Sequence, residues 1–141
     1  MNKSILIFII TYFASYRLNK VYKKIPFKKI LLRNLKAKVL ISDDKSSDDT
    51  TKIAKKISSK NKNTILNFNK KRLGYGGYIK FCLEYAIKKK YDYAVMIHGD
   101  NQYDPKYIDH MIKKINNQKN IAAVCGSRMI NKKDALNGGM P

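Results

Sequence analysis

Apolar residues gather along the chain in five short continuous runs, at 5–12, 37–42, 64–68, 93–97 and 122–126. Runs of this length without alternation predict strands covered on both faces. Between them the apolar spacing changes to that of a helix. Ile108, Met111, Ile112 and Ile115 recur at i, i+3, i+4 and i+7. They predict a helix over 105–117, with Pro105 as its first residue and Asp104 as its cap. Ile79, Leu83, Ala86 and Ile87 predict a second stripe, on which Glu84 and Lys88 are spaced for an i,i+4 ion pair. Strand and helix alternating at this spacing imply βαβ units. The expected fold class is therefore α/β, a three-layer αβα domain over residues 1–141 with a mainly parallel, Rossmann-like sheet. The expected strand order is 3-2-1-4, with a later strand beside strand four.

Parallel strands end on one shared edge, and ligands of open α/β sheets bind in the crevice along it. The polar clusters of this chain fall there. Thr11 and Tyr12 end the first run, Asp43 and Asp44 follow the second, and Gly74-Tyr75-Gly76-Gly77 lies beyond the third. The fourth ends in His98-Gly99-Asp100-Asn101-Gln102.

Charge changes this picture less than its size suggests. The net charge is +20, yet only four of the 30 basic residues are arginine: Arg17, Arg33, Arg72 and Arg128. Nucleic-acid readers favour arginine for bidentate contacts, so a diffuse lysine excess reads first as solvated surface and no nucleic acid is expected. The same surface would be drawn to anionic lipid headgroups. The ten acidic residues say more. Asp43, Asp44, Asp48 and Asp49 form one knot, and Asp100 and Asp104 another. Cys82 and Cys125 lack metal-ligand spacing and sit in apolar stretches. Both are expected to be buried free thiols in a reducing, cytoplasmic setting. The opening apolar run is too short to span a membrane and reads as a first strand.

Each motif has a structural reading beside its chemical one. Ser46 with Asp49 has capping-box spacing, which would put Asp48 and Asp49 in a first helical turn. Asp43 and Asp44 precede that cap, and ending a buried strand they suit hydrogen bonds to a base or ribose. The Gly74–Gly77 stretch serves equally as a turn into a helix or as a place for backbone to approach a ligand. Asp104 is structural. Asp100 and Gln102 offer hard oxygen ligands suited to Mg²⁺ or Mn²⁺, which take few protein groups and complete their shell with phosphates and water. His98 could ligate, donate a hydrogen bond or simply pack, and His110 reads as an ordinary helical residue.

Taken together, IITY, ISDDKSSDDT, LGYGGYIKFCLEYAI, HGDNQYDP and GSRM…GGMP resemble, in order, the motifs of a family 2 glycosyltransferase of the polyprenyl-phosphate sugar transferase type. The resemblance implies a GT-A fold, a nucleotide-diphosphate sugar as donor, and a polyprenyl phosphate or a cell-envelope glycan precursor as acceptor. It implies that Thr11, Tyr12, Asp43, Asp44, Gly74, Gly76 and Arg128 bind the nucleotide-sugar. Asp100, Gln102 and His98 would hold the metal. Phe13-Ala14 stands where the family usually carries Asn-Glu, and His98 where many members carry Asp. The family extends beyond the acceptor loop in which Met140-Pro141 falls, so the acceptor region is expected to be incomplete. No residue presents itself as a general base. The expected location is cytoplasmic, peripheral at the inner face of the membrane. Two other readings compete: a non-catalytic domain that binds nucleotide-sugar without turnover, and a basic nucleic-acid-binding protein, which leaves the Asp clusters unexplained.

Overall fold

A computed structural model describes residues 3–118, 120–127, 129 and 131–137. The chain divides into two compact units, Met1–Lys106 and Tyr107–Pro141. The first contains a four-stranded sheet: β1 (Lys3–Thr11), β2 (Leu35–Asp43), β3 (Thr64–Phe68) and β4 (Tyr93–His98). Its order is β3-β2-β1-β4, all pairs parallel, in register Thr11↔Asp43, Asp43↔Phe68 and Ile10↔His98 at the C-terminal ends. The strands begin and end within two residues of the apolar runs, and the expected order holds.

Helices α1 (Ser15–Lys23), α2 (Phe27–Leu32) and α3 (Thr50–Lys60) accompany the steps from β1 to β2 to β3, and α4 (Gly74–Lys88) accompanies the return from β3 to β4. The first steps and the return run in opposite directions across the sheet. Right-handed crossovers therefore place α1 and α3 on one face and α4 on the other. On the α4 face, Leu6, Phe8, Ile10 and Leu40 pack with Tyr78, Cys82 and Ala86. The intervening Ile5, Ile7 and Ile9 point to the other face and are fully buried. Burial on both faces is a property of β1 and most of β2. In β4 it alternates, with Ala94 and Met96 exposed.

Several expectations change. The buried face of α4 runs through Tyr78, Cys82 and Ala86, whereas Leu83 and Ile87 are exposed. Small Cys82 and Ala86 let the helix approach the sheet, and Tyr78 fills the space above Ile10. Glu84 pairs with Lys80 at 3.9 Å, an exposed contact of little energetic weight. Ser46 and Asp49 form no capping box. Helix α3 starts at Thr50, Asp49 makes no side-chain cap, and Ser46 is engaged elsewhere. Asp104 caps as expected: its Oδ1 accepts the Lys106 N–H at 3.1 Å and its Oδ2 lies 3.2 Å from Lys24 Nζ.

In the second unit, the stretch expected to be helical opens with a 3-10 turn, Pro105–Tyr107, shared with the unit boundary, and continues as α5 (Ile108–Asn117). Ile108 and Ile112 are buried there. The Tyr107 ring lies 6.2 Å from that of His110, which supports the ordinary reading of this histidine. The run at 122–126 forms no strand, and Ala122, Ala123 and Cys125 are exposed. With Val124 its single β-branched residue, it has weak strand propensity and little side chain to bury. A short helix, α6 (Lys132–Asn137), follows, and Asn131 Oδ1 accepts the Lys133 N–H at its start.

The two thiols should therefore behave differently. Burial pushes the Cys82 thiol up to about 11, while Cys125 is exposed. Titration of native protein with a thiol reagent near pH 7.5 should modify one cysteine, Cys125, and denaturation should release the second. Rapid modification of both in the native state would contradict the packing of α4. Gly99 offers a second check. A Cβ there would stand 2.6 Å from Thr11 Cγ2 and 3.1 Å from Ala14 Cβ. Gly99→Ala should thus destabilise the protein by about 1–3 kcal/mol in denaturant titration, the usual cost of overpacking.

Candidate functional site

The C-terminal ends of β1, β2 and β4 come together through the acidic segment after β2. Asp43 is fully buried, and its carboxylate accepts hydrogen bonds from the Ser46 N–H at 2.8 Å and the Ser46 hydroxyl. Thr11 Oγ1, 3.1 Å from Asp43 Oδ1 and 3.0 Å from Ser42 O, donates between the two. Asp44 faces the other way. It accepts the Leu73 and Gly74 N–H groups at 2.8 and 3.0 Å and the Asn69 side-chain amide at 3.0 Å. These N–H groups lie at the start of α4, so Asp44 caps that helix from a neighbouring loop. Adjacent buried carboxylates thus have a structural purpose that strand-end position alone does not disclose.

The remaining side chains of this segment hold the turn after β1. Phe13, at φ 51°, sits in the left-handed region, which is unfavourable for a bulky residue. Its N–H is captured by Ser46 Oγ, that of Ala14 by Thr50 Oγ1, and that of Ser15 by Asp48. Burial opposes ionisation of Asp48, but hydrogen bonds from Thr50 and Ser15 outweigh it and hold the carboxyl below its usual range. Three successive amides are therefore fixed by side chains from one loop, which is what keeps the turn in a strained conformation.

Between these loops lies a cleft of about 230 Å³, lined by Thr11, Tyr12, Asp44, Gly74, His98 and Asp100 among others. Six of the residues singled out from sequence therefore share one cavity. Asp43 lies beneath it, engaged by Thr11 and Ser46. Gly76 is in the first turn of α4, where nothing lies within 4 Å of a Cβ position, and it is not part of the lining. Gln102 is exposed and also outside the lining. Arg128 falls outside the described residues.

Five further residues join the site. The Arg72 guanidinium lies 4.1 Å from the centre of the Tyr12 ring, a stacked cation–π contact. Arg17 Nη1 donates to the Asp100 carbonyl at 3.1 Å. Tyr75 Oη lies 3.3 Å from His98 Nε2, and the His98 ring is set edge-to-face between Tyr75 and Tyr103, with centroids 5.6 and 4.9 Å away. Tyr78 lines the cleft from α4. Arg72 carried a usable signal, being one of four arginines in the chain and lying two residues before the glycine segment. Tyr78 carried none, because it lies one position off the expected apolar stripe.

Among the described residues, no three His, Cys, Asp or Glu side chains converge as a metal cage. Asp100 nevertheless lines the cleft, and its Oδ1 accepts the Gln102 N–H at 2.9 Å. One carboxylate with diphosphate oxygens and water is a normal environment for Mg²⁺, so Asp100 fits such an ion. Gln102, held to Asp100 through its backbone and outside the lining, fits it less well. His98 is already packed between two tyrosines.

The fold has known counterparts. S. aureus TarS residues 1–349 superimpose with a TM-score of 0.59 at 18% identity, covering 92% of this chain and 40% of that one. The same fragment in complex with UDP matches equally, at 17% identity with the same coverage. An uncharacterized protein of Methanocaldococcus jannaschii is 34% identical over 99 residues, 69% of this chain and 43% of its own length. The chain thus spans less than half the length of these relatives. Residues 7–140 match Glycosyl transferase family 2, and with that match covering nearly the whole chain and the sheet ordered β3-β2-β1-β4, the chain belongs to glycosyl transferase family 2.

Proposed function

We propose that the cleft binds a nucleotide-diphosphate sugar and that the protein to which this chain belongs transfers the sugar to an acceptor. One observation carries the reading: Thr11, Tyr12, Asp44, Gly74, His98 and Asp100, drawn from four separate segments, line a single cavity at the C-terminal edge of the sheet. Family membership and the UDP complex of TarS support it.

In this reading the nucleoside lies at the Thr11–Asp44 end, with Asp43 holding Thr11 in place. Tyr12 under Arg72 offers an aromatic face, and Gly74 and Gly76 keep the entrance to α4 free of side chains. The diphosphate lies toward Asp100, which would hold Mg²⁺ or Mn²⁺, with Gln102 and His98 as supporting residues and Arg128 as a further guanidinium for phosphate. The ion supplies neutralisation of the charge that develops on the leaving diphosphate. Arg17 steadies the Asp100 loop by binding its carbonyl. The sugar would be transferred by displacement at its anomeric carbon. A polyprenyl phosphate would attack with an oxygen already anionic and need no general base, which agrees with the lack of a base candidate in the sequence. A cytoplasmic site at the inner membrane surface follows from such an acceptor and from the charge of +20. No helix among the described residues is long and apolar enough to cross a membrane.

Calorimetry with UDP and GDP, each with and without Mn²⁺, tests the donor and metal readings together. The wild type should bind one of them more tightly with the ion, by roughly tenfold or more, as expected for a charge-assisted contact. Asp100→Ala should remove that difference while keeping the metal-free affinity. Equal wild-type affinity with and without metal would remove Asp100 from the role of ligand.

A further inference from the structure

The cleft contains one polar group that the fold itself does not employ. Tyr78 is 3% exposed, and among the described residues its hydroxyl makes no hydrogen bond of normal length and angle, the Thr11 backbone being the one nearby group placed to contribute a long one and Asp43 and Asp44 acting on it only through their charge. Buried hydroxyls are almost always paired, because losing water without a replacement is costly. Phenylalanine would fill the same place in the core cluster with Ile10 and Cys82 without that cost. The tyrosine also lines the cleft, so a bound molecule that displaces the wall around its buried oxygen can supply the missing partner.

We infer that Tyr78 Oη is a specificity-determining contact that hydrogen-bonds the nucleoside of the donor. This rests on the reading of the cleft as a nucleotide-sugar site and names which part of the ligand the group reads. Burial pushes the hydroxyl pKa well above its ordinary value, so the group stays a neutral O–H that can both donate and accept. Its surroundings select the neutral end of the ligand. Asp43 and Asp44 would repel a phosphate brought beside it, whereas a base edge or a ribose hydroxyl brings no charge. Ile10 and Ala14 in the same lining suit the flat apolar side of a nucleoside. The hydroxyl is closed to water in the free protein, so the nucleoside reaches it as the cleft walls part.

The test compares wild type with Tyr78→Phe in two measurements. Calorimetry is run with UDP, GDP, CDP, ADP and dTDP in Mn²⁺, with pyrophosphate as a control lacking a nucleoside, and thermal melting is recorded without ligand. The expected result is a loss of roughly five- to tenfold in affinity for the preferred nucleotide, the usual effect of one neutral hydrogen bond. Pyrophosphate binding should not change, and the variant should melt no lower than wild type. Arms with the 2′-deoxy and 2′,3′-dideoxy forms of the preferred nucleotide separate ribose from base. If both forms show the same loss on substitution, the base is the partner, and if the loss vanishes in either, the hydroxyl removed in that form is. A variant that binds the preferred nucleotide as well as wild type overturns the inference and leaves the cleft reading standing. A variant that melts lower or fails to fold shows that the protein itself holds the hydroxyl, and this also overturns it. A wild type that binds none of the five nucleotides overturns both.

Discussion

The constraint on which the rest depends is the burial of two adjacent carboxylates at the end of β2. An ionised carboxylate removed from water must be given hydrogen-bond donors in its place. Here Asp43 and Asp44 point to opposite sides and draw their donors from different parts of the chain. Asp43 takes Thr11 from β1 and Ser46 from its own loop. Asp44 takes Asn69, Leu73 and Gly74 from the segment that leads into α4. Two side chains thereby fasten three strand-end segments to one another.

The same loop and the first residue of α3 complete the arrangement with two hydroxyls and a carboxylate. Ser46, Thr50 and Asp48 bind the amides of Phe13, Ala14 and Ser15, fixing where α1 begins and how Tyr12 projects. Gly99 then packs directly on Thr11 and Ala14, its N–H bonded to Ile10 O at 2.9 Å. Asp100 is in this way brought to the same cavity as Asp44 without touching it. An acidic cluster in a strongly basic chain thus positions a cleft before it recognises anything within it. A ligand met there encounters a floor fixed by hydrogen bonds and a polar rim.

The wall facing this floor comes from α4, whose orientation follows from packing. Tyr78, Cys82 and Ala86 meet Leu6, Phe8 and Ile10, and the small residues at 82 and 86 allow the close approach that brings Tyr78 over the end of β1. The larger Leu83 and Ile87 remain outside. Hydrophobicity read from sequence favours the second set, whereas shape favours the first. The cost of leaving two large apolar side chains exposed is offset by a close fit of the helix to the sheet, and Tyr78 is brought to the cleft wall as a consequence.

Local chemistry was enough to locate the four strands, their parallel order and the shared edge of Thr11, Asp44, Gly74, His98 and Asp100, because periodicity and crossover handedness depend on neighbours in the chain. It also sufficed for Asp104, whose partner Lys106 is two residues away. Tertiary structure alone decided the rest. The Thr11 contact of Asp43, the internal partners of Asp44, the failure of Ser46 and Asp49 to form a capping box, and the placement of Arg72 over Tyr12 all depend on groups 25 or more residues apart or on competition with them. So does the face that α4 buries, since a helix with apolar residues on adjoining sides is turned by the surface it meets. At 122–126 the sequence pattern overstated its case, because a strand exists only where a neighbouring backbone supplies hydrogen bonds, and that is a property of the fold rather than of the segment.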